Sequence, residues 1–193
     1  MKFKIIKYKV VNSTNETAIQ LIKNKKCENG LIYSLFQKKG KGRHGKKWIS
    51  KKGNFFGTIF FHLKKNYPTE KEFSFINLIL NTDVLSKFCD KKNIIIKFPN
   101  DIYVNKKKIC GILQEVIFRG SKKYLIIGIG INLLSSPKIN KYPSTSVYEE
   151  IKIKPKLSKI VKQIKKKYED FFLYMDFYKV INFKIKSKKM YQN

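Results

Sequence analysis

Arginine and acidic residues are scarce in this 193-residue chain. Arg43 and Arg119 are its only arginines, and 13 acidic residues against 43 basic ones give a net charge of +30. Such a charge attracts polyanions, but nucleic-acid-binding proteins usually contact bases and phosphates through the two-pronged guanidinium group of arginine. The lysines accompany abundant Ile, Asn, Phe and Tyr, a pattern typical of an AT-rich genome. We therefore favour compositional bias over a specific nucleic-acid surface, and keep a basic nucleic-acid-binding module as an alternative function.

Metal-binding and membrane patterns are also lacking. Cys27, Cys89 and Cys110 lie far apart, no CxxC pair exists, and the chain has only two histidines. This indicates reduced thiols and no metal held by the protein itself. Residues 1–11 alternate lysine with apolar residues, unlike a signal peptide, and no run reaches the ~18 apolar residues of a membrane span. We expect a cytoplasmic protein with no membrane partner.

Hydrophobic periodicity predicts an α+β fold. Apolar, β-favouring runs predict strands over residues 3–11, 31–36, 54–63, 93–98, 102–104, 108–118 and 124–133. Helices are expected from Ser13, where Glu16 follows at capping-box spacing, and over residues 69–89 and 155–172. Since neither a repeat nor a linker is evident, we predict one domain with a mixed, largely antiparallel β-sheet backed by helices.

A basic, glycine-rich segment over residues 37–53 interrupts this pattern. It has four glycines, seven lysines and Arg43, and only Trp48 and Ile49 are large and apolar. Glycines let backbone N–H groups approach an anion closely, and the cations add charge-assisted donors. The segment therefore predicts a loop that orders over a phosphate or acyl phosphate. A disordered basic loop is the alternative from composition alone.

Five short motifs, in order along the chain, resemble those of biotin–protein ligases. Residues 40–48 (GKGRHGKKW) resemble the family's GRGRxGRxW loop, and Gln37 stands just before it, where the family places a glutamine. The other four are STN at 13–15, KFPND at 97–101 (similar to KWPND), KICGILQE at 108–115 (similar to KxxGILxE) and GIGIN at 128–132. The resemblance implies the class II aminoacyl-tRNA synthetase-like fold of the biotin–lipoate ligase catalytic domain. We expect that domain over residues 1–185 and a tail over 186–193, with no N-terminal helix-turn-helix and no evident C-terminal SH3-like domain.

The resemblance also implies roles for individual residues. Biotin would contact Ser13, Thr14, Asn15, Gln37, Lys41, Gly42, Arg43, Lys108, Gly111, Ile112, Leu113, Gly128 and Ile129. ATP and the adenylate would contact Lys41, Arg43, Trp48, Asn100, Asp101, Lys108 and Asn132. Arg43 and Lys108 are the predicted catalytic residues, because joining a carboxylate to AMP requires a cation that offsets the repulsion between two anions.

The implied reaction forms biotinyl-5′-AMP from biotin and ATP and then biotinylates a lysine of a carrier domain, such as that of acetyl-CoA carboxylase. Mg²⁺ would accompany ATP, held mainly by the phosphates. A lipoate or octanoate ligase or transferase of the same fold is the alternative, although the loop at 40–48 argues against it. Lysine at Lys41 and Lys46, where the family uses arginine, predicts weaker retention of the adenylate.

Several of these residues also have simpler explanations. In these explanations, Ser13 is only a helix cap. Lys108 is only a solvated lysine in a hairpin. Trp48 would anchor the end of the loop, and Gly128 and Gly130 would permit close packing on the sheet.

Overall fold

The computed structural model describes residues 1–140 and 142–175, in which seven strands form one sheet. The strands are β1 (Ile5–Tyr8), β2 (Gly30–Ser34), β3 (Phe55–His62), β4 (Ile94–Lys97), β5 (Asp101–Val104), β6 (Lys107–Arg119) and β7 (Lys122–Ile131). The helices are α1 (Thr14–Lys23), α2 (Glu70–Leu85), α3 (Val147–Ile151) and α4 (Leu157–Leu173), with a 3₁₀ turn at Lys91–Asn93. The strand order is β1-β2-β3-β7-β6-β5-β4, and only the β1–β2 pair is parallel. The predicted α+β fold with a largely antiparallel sheet is confirmed.

The two faces of the sheet bury different sets of side chains, because successive residues of a strand point to opposite sides. On one face, Phe60, Tyr124 and Ile126 pack with Ala18 and Ile22 of α1. On the other face a larger core lies beneath α2 and α4, and its members include Ile59, Phe61, Phe73, Leu125, Ile127, Ile160 and Ile164. Among the described helices, α1 therefore packs on the face of the sheet opposite to α2 and α4.

Local hydrogen bonds explain where the predicted elements were wrong. Strand β1 is shorter than predicted, because its pairing with β2 ends at Tyr8 and Ser34. The predicted capping box at Ser13 does not form: the Ser13 side chain makes no cap hydrogen bond, and Glu16 pairs with Lys41 instead. Helix α3 was not predicted, since its five residues are too few to show a period.

Helix α2 begins where predicted but ends earlier. Thr69 and Glu72 form a capping box at its start, and the helix stops at Leu85. Ser86 to Cys89 then turn, with backbone bonds from Lys87 N to Val84 O and from Phe88 N to Leu85 O. The predicted tail at 186–193 and the last residues of the predicted 1–185 domain lie outside the described residues.

Candidate functional site

The main cavity of the described residues opens beside the N-terminus of α1 and has a volume of about 410 Å³. Such a volume is in the range of small-molecule sites. Its walls come from α1, the 37–53 loop, the β4–β5 turn, β6 and β7; the lining residues are Ser13, Thr14, Asn15, Gln37, Lys41, Gly42, Arg43, His44, Lys46, Lys47, Trp48, Lys97, Phe98, Asn100, Asp101, Tyr103, Lys108, Gly111, Ile112, Leu113, Gly128, Ile129, Gly130 and Tyr142. Segments that are distant in sequence therefore meet at one cavity, and Tyr142 of the loop after β7 adds to its wall.

The 37–53 loop folds back on itself as a small hairpin. Gly42 N donates to Lys46 O at 2.7 Å, and Trp48 N donates to Gly40 O at 2.9 Å. The turn is made by His44 and Gly45, whose φ angles of 53° and 71° lie in the left-handed region. In this structure the loop forms a wall of the cavity. Its predicted mobility without ligand stays a prediction.

Trp48 ends this hairpin and lies against two glycines of the sheet. A Cβ at Gly130 would lie 2.5 Å from Trp48 Cε2, and one at Gly111 would lie 2.6 Å from Trp48 Cζ3. These two positions face each other across β6 and β7. The glycines therefore make room for the indole, and the loop is anchored to the floor of the cavity. The indole Nε1 is buried without a hydrogen-bond partner among the described residues.

A buried polar network forms the end of the cavity next to α1. Gln37 Oε1 accepts from Thr14 N at 2.9 Å, and Thr58 Oγ1 lies 2.8 Å from Thr14 Oγ1 and 2.6 Å from Asn15 Oδ1. Asn15 Nδ2 donates to Glu115 Oε2 at 2.6 Å and to Leu113 O at 3.2 Å. These short polar side chains present matched donors and acceptors at a largely dry end of the pocket.

Gly128 provides the space in which Asn15 lies. A Cβ there would come within 2.4 Å of Asn15 Oδ1. Gly128 pairs with Thr58 on β3 and with Leu113 on β6, so the network crosses three adjacent strands. Gly128 therefore permits close packing, as the simpler explanation states, and it also lines the cavity beside Asn15.

Lys108 lies at the opposite end of the cavity, next to an acidic partner. Its Nζ is 2.8 Å from Asp101 Oδ1, and its side chain is only 13% exposed. The contact is an ion pair without hydrogen-bond alignment, since Asp101 Oδ1 makes no hydrogen bond to any residue that the structure describes. The ammonium also lies 5.1 Å from the Tyr142 ring and 5.7 Å from the Trp48 ring. The alternative of a freely solvated hairpin lysine is therefore wrong.

The loop contributes two further cations to the cavity. Arg43 Nη1 donates to Asn100 Oδ1 at 3.3 Å, which joins the loop to the β4–β5 turn. Lys41 Nζ lies 2.6 Å from Glu16 Oε1, and this hydrogen bond raises the pKa of Lys41. Six Lys and Arg side chains line the cavity, whereas Asp101 is the single carboxylate among its described lining residues. The cavity therefore favours an anionic ligand.

No cysteine is among the described residues that line the cavity. Burial raises the pKa of the Cys110 thiol strongly and that of Cys89 to about 11, so both stay protonated at neutral pH. Within residues 1–140 and 142–175, no three His, Cys, Asp or Glu side chains cluster as metal ligands would. The same residues include no helix long and apolar enough to cross a bilayer.

Comparison with known proteins identifies the family. The biotin/lipoate A/B protein ligase family matches residues 8–132 of the chain. The chain belongs to this family.

Individual relatives of the biotin/lipoate ligase family agree. Residues of the chain are 32% identical over 126 positions to the bifunctional ligase/repressor BirA of Escherichia coli, which covers 64% of this chain and 39% of BirA. They are 30% identical over 128 positions to the biotin–[acetyl-CoA-carboxylase] ligase of Paracoccus denitrificans, which covers 65% of this chain and 53% of that enzyme. The chain thus spans between about two fifths and about half the length of these relatives.

A solved structure supports the fold. The biotin protein ligase of Aquifex aeolicus in complex with biotin and ATP superposes with a TM-score of 0.82 at 24% identity, covering 98% of this chain and 78% of that one. At this identity, the likeness establishes the ligase fold and not the ligand.

Most of the predicted site residues of this ligase-family chain line one cavity, and their individual roles stay predictions. Asn132 is the exception. Its Nδ2 donates to Thr145 O, and it lines a small neighbouring pocket with Trp48, Lys108 and Tyr142. Its Oδ1 is buried and has no hydrogen-bond partner among the residues that the structure describes.

The site prediction omitted Thr58, Glu115 and Tyr142, and also these lining residues: His44, Lys46, Lys47, Lys97, Phe98, Tyr103 and Gly130. Thr58 and Glu115 belong to the buried network, and Tyr142 packs against Lys108. Glu115 stood at the end of a recognised motif, which was a signal that could have found it. Thr58 and Tyr142 carry no such signal, because their positions depend on the pairing of β3 with β7 and on the path of a loop.

Proposed function

We propose that the chain activates biotin with ATP and transfers it to a protein lysine. In the first step, a carboxylate oxygen of biotin attacks the α-phosphorus of ATP, and the bond to pyrophosphate breaks. In the second, a lysine amine attacks the acyl carbon of biotinyl-5′-AMP, AMP leaves, and the amine loses a proton. The division of the cavity into a dry polar end and a cationic end carries this proposal.

The dry end suits the ureido ring of biotin. Thr14 and Asn15 offer oxygen acceptors to a ligand, and Gln37 Nε2 has a second proton beyond its bond to Ser50, while all three side chains are almost fully buried. Gly111, Ile112, Leu113, Gly128 and Ile129 add an apolar wall of the kind that a bicyclic ring and an alkyl chain require. A urea buried here would exchange its hydrogen bonds to water for bonds to these side chains.

The cationic end suits the reacting carboxylate and phosphate. Lys108 is held in place by Asp101 and two aromatic rings, so its charge is fixed where two anions would meet. Arg43 reaches the same end from the loop through Asn100. Fixed cations stabilise the charge that develops on the α-phosphate. We assign Lys108 and Arg43 the catalytic role.

Mg²⁺ would enter with ATP. Among the described residues, Asp101 is the only carboxylate that lines the cavity, so most ligands of the Mg²⁺ ion would be phosphate oxygens and water. When bound, the ion would neutralise the triphosphate and assist the departure of pyrophosphate.

We propose a biotin carrier domain of acetyl-CoA carboxylase or a related carboxylase as the acceptor, in the cytoplasm. The name of the Paracoccus denitrificans relative supports this acceptor. The three free cysteines suit a reducing compartment.

Exchange of labelled pyrophosphate into ATP tests the activation step. The full chain is assayed with biotin, lipoate or octanoate as the only added acid. We expect exchange that requires biotin, and no exchange with the other two. Exchange with lipoate or octanoate alone would assign the chain to the other branch of its family, and no exchange with any acid would contradict the ligase proposal.

A further inference from the structure

We propose that Glu115 and Thr58 form a relay that fixes the Thr14 hydroxyl as a hydrogen-bond acceptor towards the cavity. The relay would make the pocket select a ligand N–H at this point over an oxygen. This inference rests on the proposed function, since it concerns how the ureido group of biotin is chosen. Thr58 and Glu115 do not line the cavity themselves, so they are positioning residues that act through Asn15 and Thr14.

The relay begins with the orientation of the Asn15 amide. Asn15 Nδ2 lies 2.6 Å from Glu115 Oε2 and 3.2 Å from Leu113 O, and both of these oxygens only accept. The reversed amide would place Asn15 Oδ1 against two acceptors at these distances. Glu115 and Leu113 therefore force Oδ1 to face Thr58.

The next step concerns the single proton of the Thr58 hydroxyl. Two oxygens lie within its reach, Asn15 Oδ1 at 2.6 Å and Thr14 Oγ1 at 2.8 Å. Asn15 Oδ1 has no proton of its own, so an O···O contact of 2.6 Å is tolerable only if Thr58 donates to it. Thr58 is fully buried, so bulk solvent does not reach its hydroxyl. The Thr58 proton is thereby committed to Asn15.

Thr14 must then donate to Thr58. The Thr58 proton is already donated to Asn15. The 2.8 Å contact between the Thr14 and Thr58 hydroxyls is therefore a hydrogen bond only if Thr14 donates its proton. Gln37 Oε1 lies 3.1 Å from Thr14 Oγ1 but does not need the hydroxyl proton, because it already accepts a hydrogen bond from Thr14 N at 2.9 Å. The Thr14 hydroxyl thus has lone pairs but no proton left for the cavity.

A ligand N–H satisfies this arrangement, and a ligand oxygen at the same place does not. The oxygen would meet the Thr14 lone pairs in a nearly dry environment, with no proton between them. Leaving buried polar groups unpaired in this way lowers affinity by about 10- to 100-fold. The relay therefore makes the cavity specific for an N–H at one position of the ligand.

The test compares biotin with its two cyclic carbamate analogues, in each of which oxygen replaces one ureido N–H. Calorimetry on the full chain gives the dissociation constants, and the measured quantity is the ratio of analogue to biotin. For the wild type we expect one of the two analogues to bind about 10- to 100-fold more weakly than biotin. In Thr58→Val the Thr14 proton is left only the 3.1 Å contact to Gln37 Oε1, which already accepts from Thr14 N, so it can turn to a ligand oxygen and this ratio should fall by about fivefold or more.

Two further variants separate the relay from general loosening of the fold. Thr58→Ser keeps the hydroxyl and should keep the wild-type ratio. Thr82→Val is the matched control, because Thr82 is a fully buried threonine of α2 whose hydroxyl has no hydrogen-bond partner among the described residues. It should also keep the wild-type ratio.

Glu115→Gln provides a second route to the same question. Its amide can donate to Asn15 Oδ1, which relaxes one of the two constraints at the start of the relay and leaves Leu113 O, so the ratio should fall here by less than in Thr58→Val. If Thr58→Val does not fold, this variant decides. An unchanged ratio in the folded variants, with biotin still bound, would overturn the relay alone, whereas a wild type that does not bind biotin would overturn the proposed function.

Discussion

Lys108 and Asp101 form an ion pair of 2.8 Å in which both side chains are largely buried, with exposures of 13% and 19%. The two residues are on adjacent strands, where β5 meets β6 with a shift in register between Ile102 and Tyr103. A lysine ammonium that is buried beside a carboxylate and two aromatic rings is expected where the reaction requires its charge. The pair therefore makes Lys108 the most informative residue to change.

Lys108→Met should abolish most of the activation reaction. Methionine keeps the length of the side chain but removes the charge, so the α-phosphate loses a fixed cation, and we expect pyrophosphate exchange to fall about 10²- to 10³-fold. Lys107→Met is the matched control, since Lys107 is an exposed neighbour on the same strand and should show little change. Equal activity in the two variants would contradict the role assigned to Lys108.

Ser13→Ala and Thr69→Ala should separate ligand binding from helix capping. Ser13 precedes α1 without a side-chain cap bond, whereas Thr69 caps α2 and accepts from Glu72 N. We expect Ser13→Ala to weaken biotin binding while the free energy of unfolding is kept. Thr69→Ala should lose about 1 kcal/mol of stability and bind biotin normally. Denaturant unfolding and calorimetry measure both effects, and a stability loss in Ser13→Ala as large as that in Thr69→Ala would restore the capping explanation.

Gly130→Ala should displace Trp48 from the sheet. The added methyl group would lie 2.5 Å from Trp48 Cε2 and 2.8 Å from Trp48 Nε1, which is closer than packed atoms allow. We expect a stability loss of about 1–3 kcal/mol. Because Trp48 is the only tryptophan, its fluorescence emission should also shift to longer wavelength. Gly111→Ala should shift it in the same direction, and unchanged emission in both variants would show that the indole does not lie on these glycines.

Glu28 predicts a pH-dependent contribution to stability. Hydrogen bonds from Lys122, Tyr124 and Arg119 lower the pKa of the Glu28 carboxyl from 4.5 to about 2. The group is more acidic in the folded chain than in the unfolded chain, so its stabilisation is complete above pH 4.5 and is lost as the pH falls towards 2.

Thermal unfolding of Glu28→Gln tests this pH dependence. The variant should be less stable than the wild type at neutral pH, and the difference should shrink below pH 4.5. Added salt should also reduce the difference, because the Glu28 side chain is half exposed. A difference that is the same at pH 7 and pH 2.5 would contradict the ion-pair explanation.

The strands and the motifs of the site could be predicted because both are patterns of local sequence. Apolar, β-favouring runs predicted the strands of the sheet, and the motif at 97–101 marked Asn100, in the turn after β4, and Asp101, the first residue of β5. Asn105 and Lys106, whose φ angles are positive, form the tight hairpin between β5 and β6. These features require only neighbouring residues.

The remaining features depend on which strands pair and in what register. Thr58 enters the network because β3 pairs with β7 so that Thr58 lies opposite Gly128, where Asn15 lies. Glu16 was read as half of a capping box, yet it pairs with Lys41, which is 25 positions further along the chain. Spacing within one segment does not show such partners, because they are set by tertiary packing.

Formation of biotinyl-5′-AMP tests the central claim most directly. The full chain is incubated with biotin and MgATP, separated from free ligands by rapid filtration, and analysed by mass spectrometry under native and denaturing conditions. We predict one equivalent of biotinyl-5′-AMP that is released on denaturation and is absent when biotin is replaced by lipoate. A folded chain that yields no biotinyl-5′-AMP under these conditions would contradict the account.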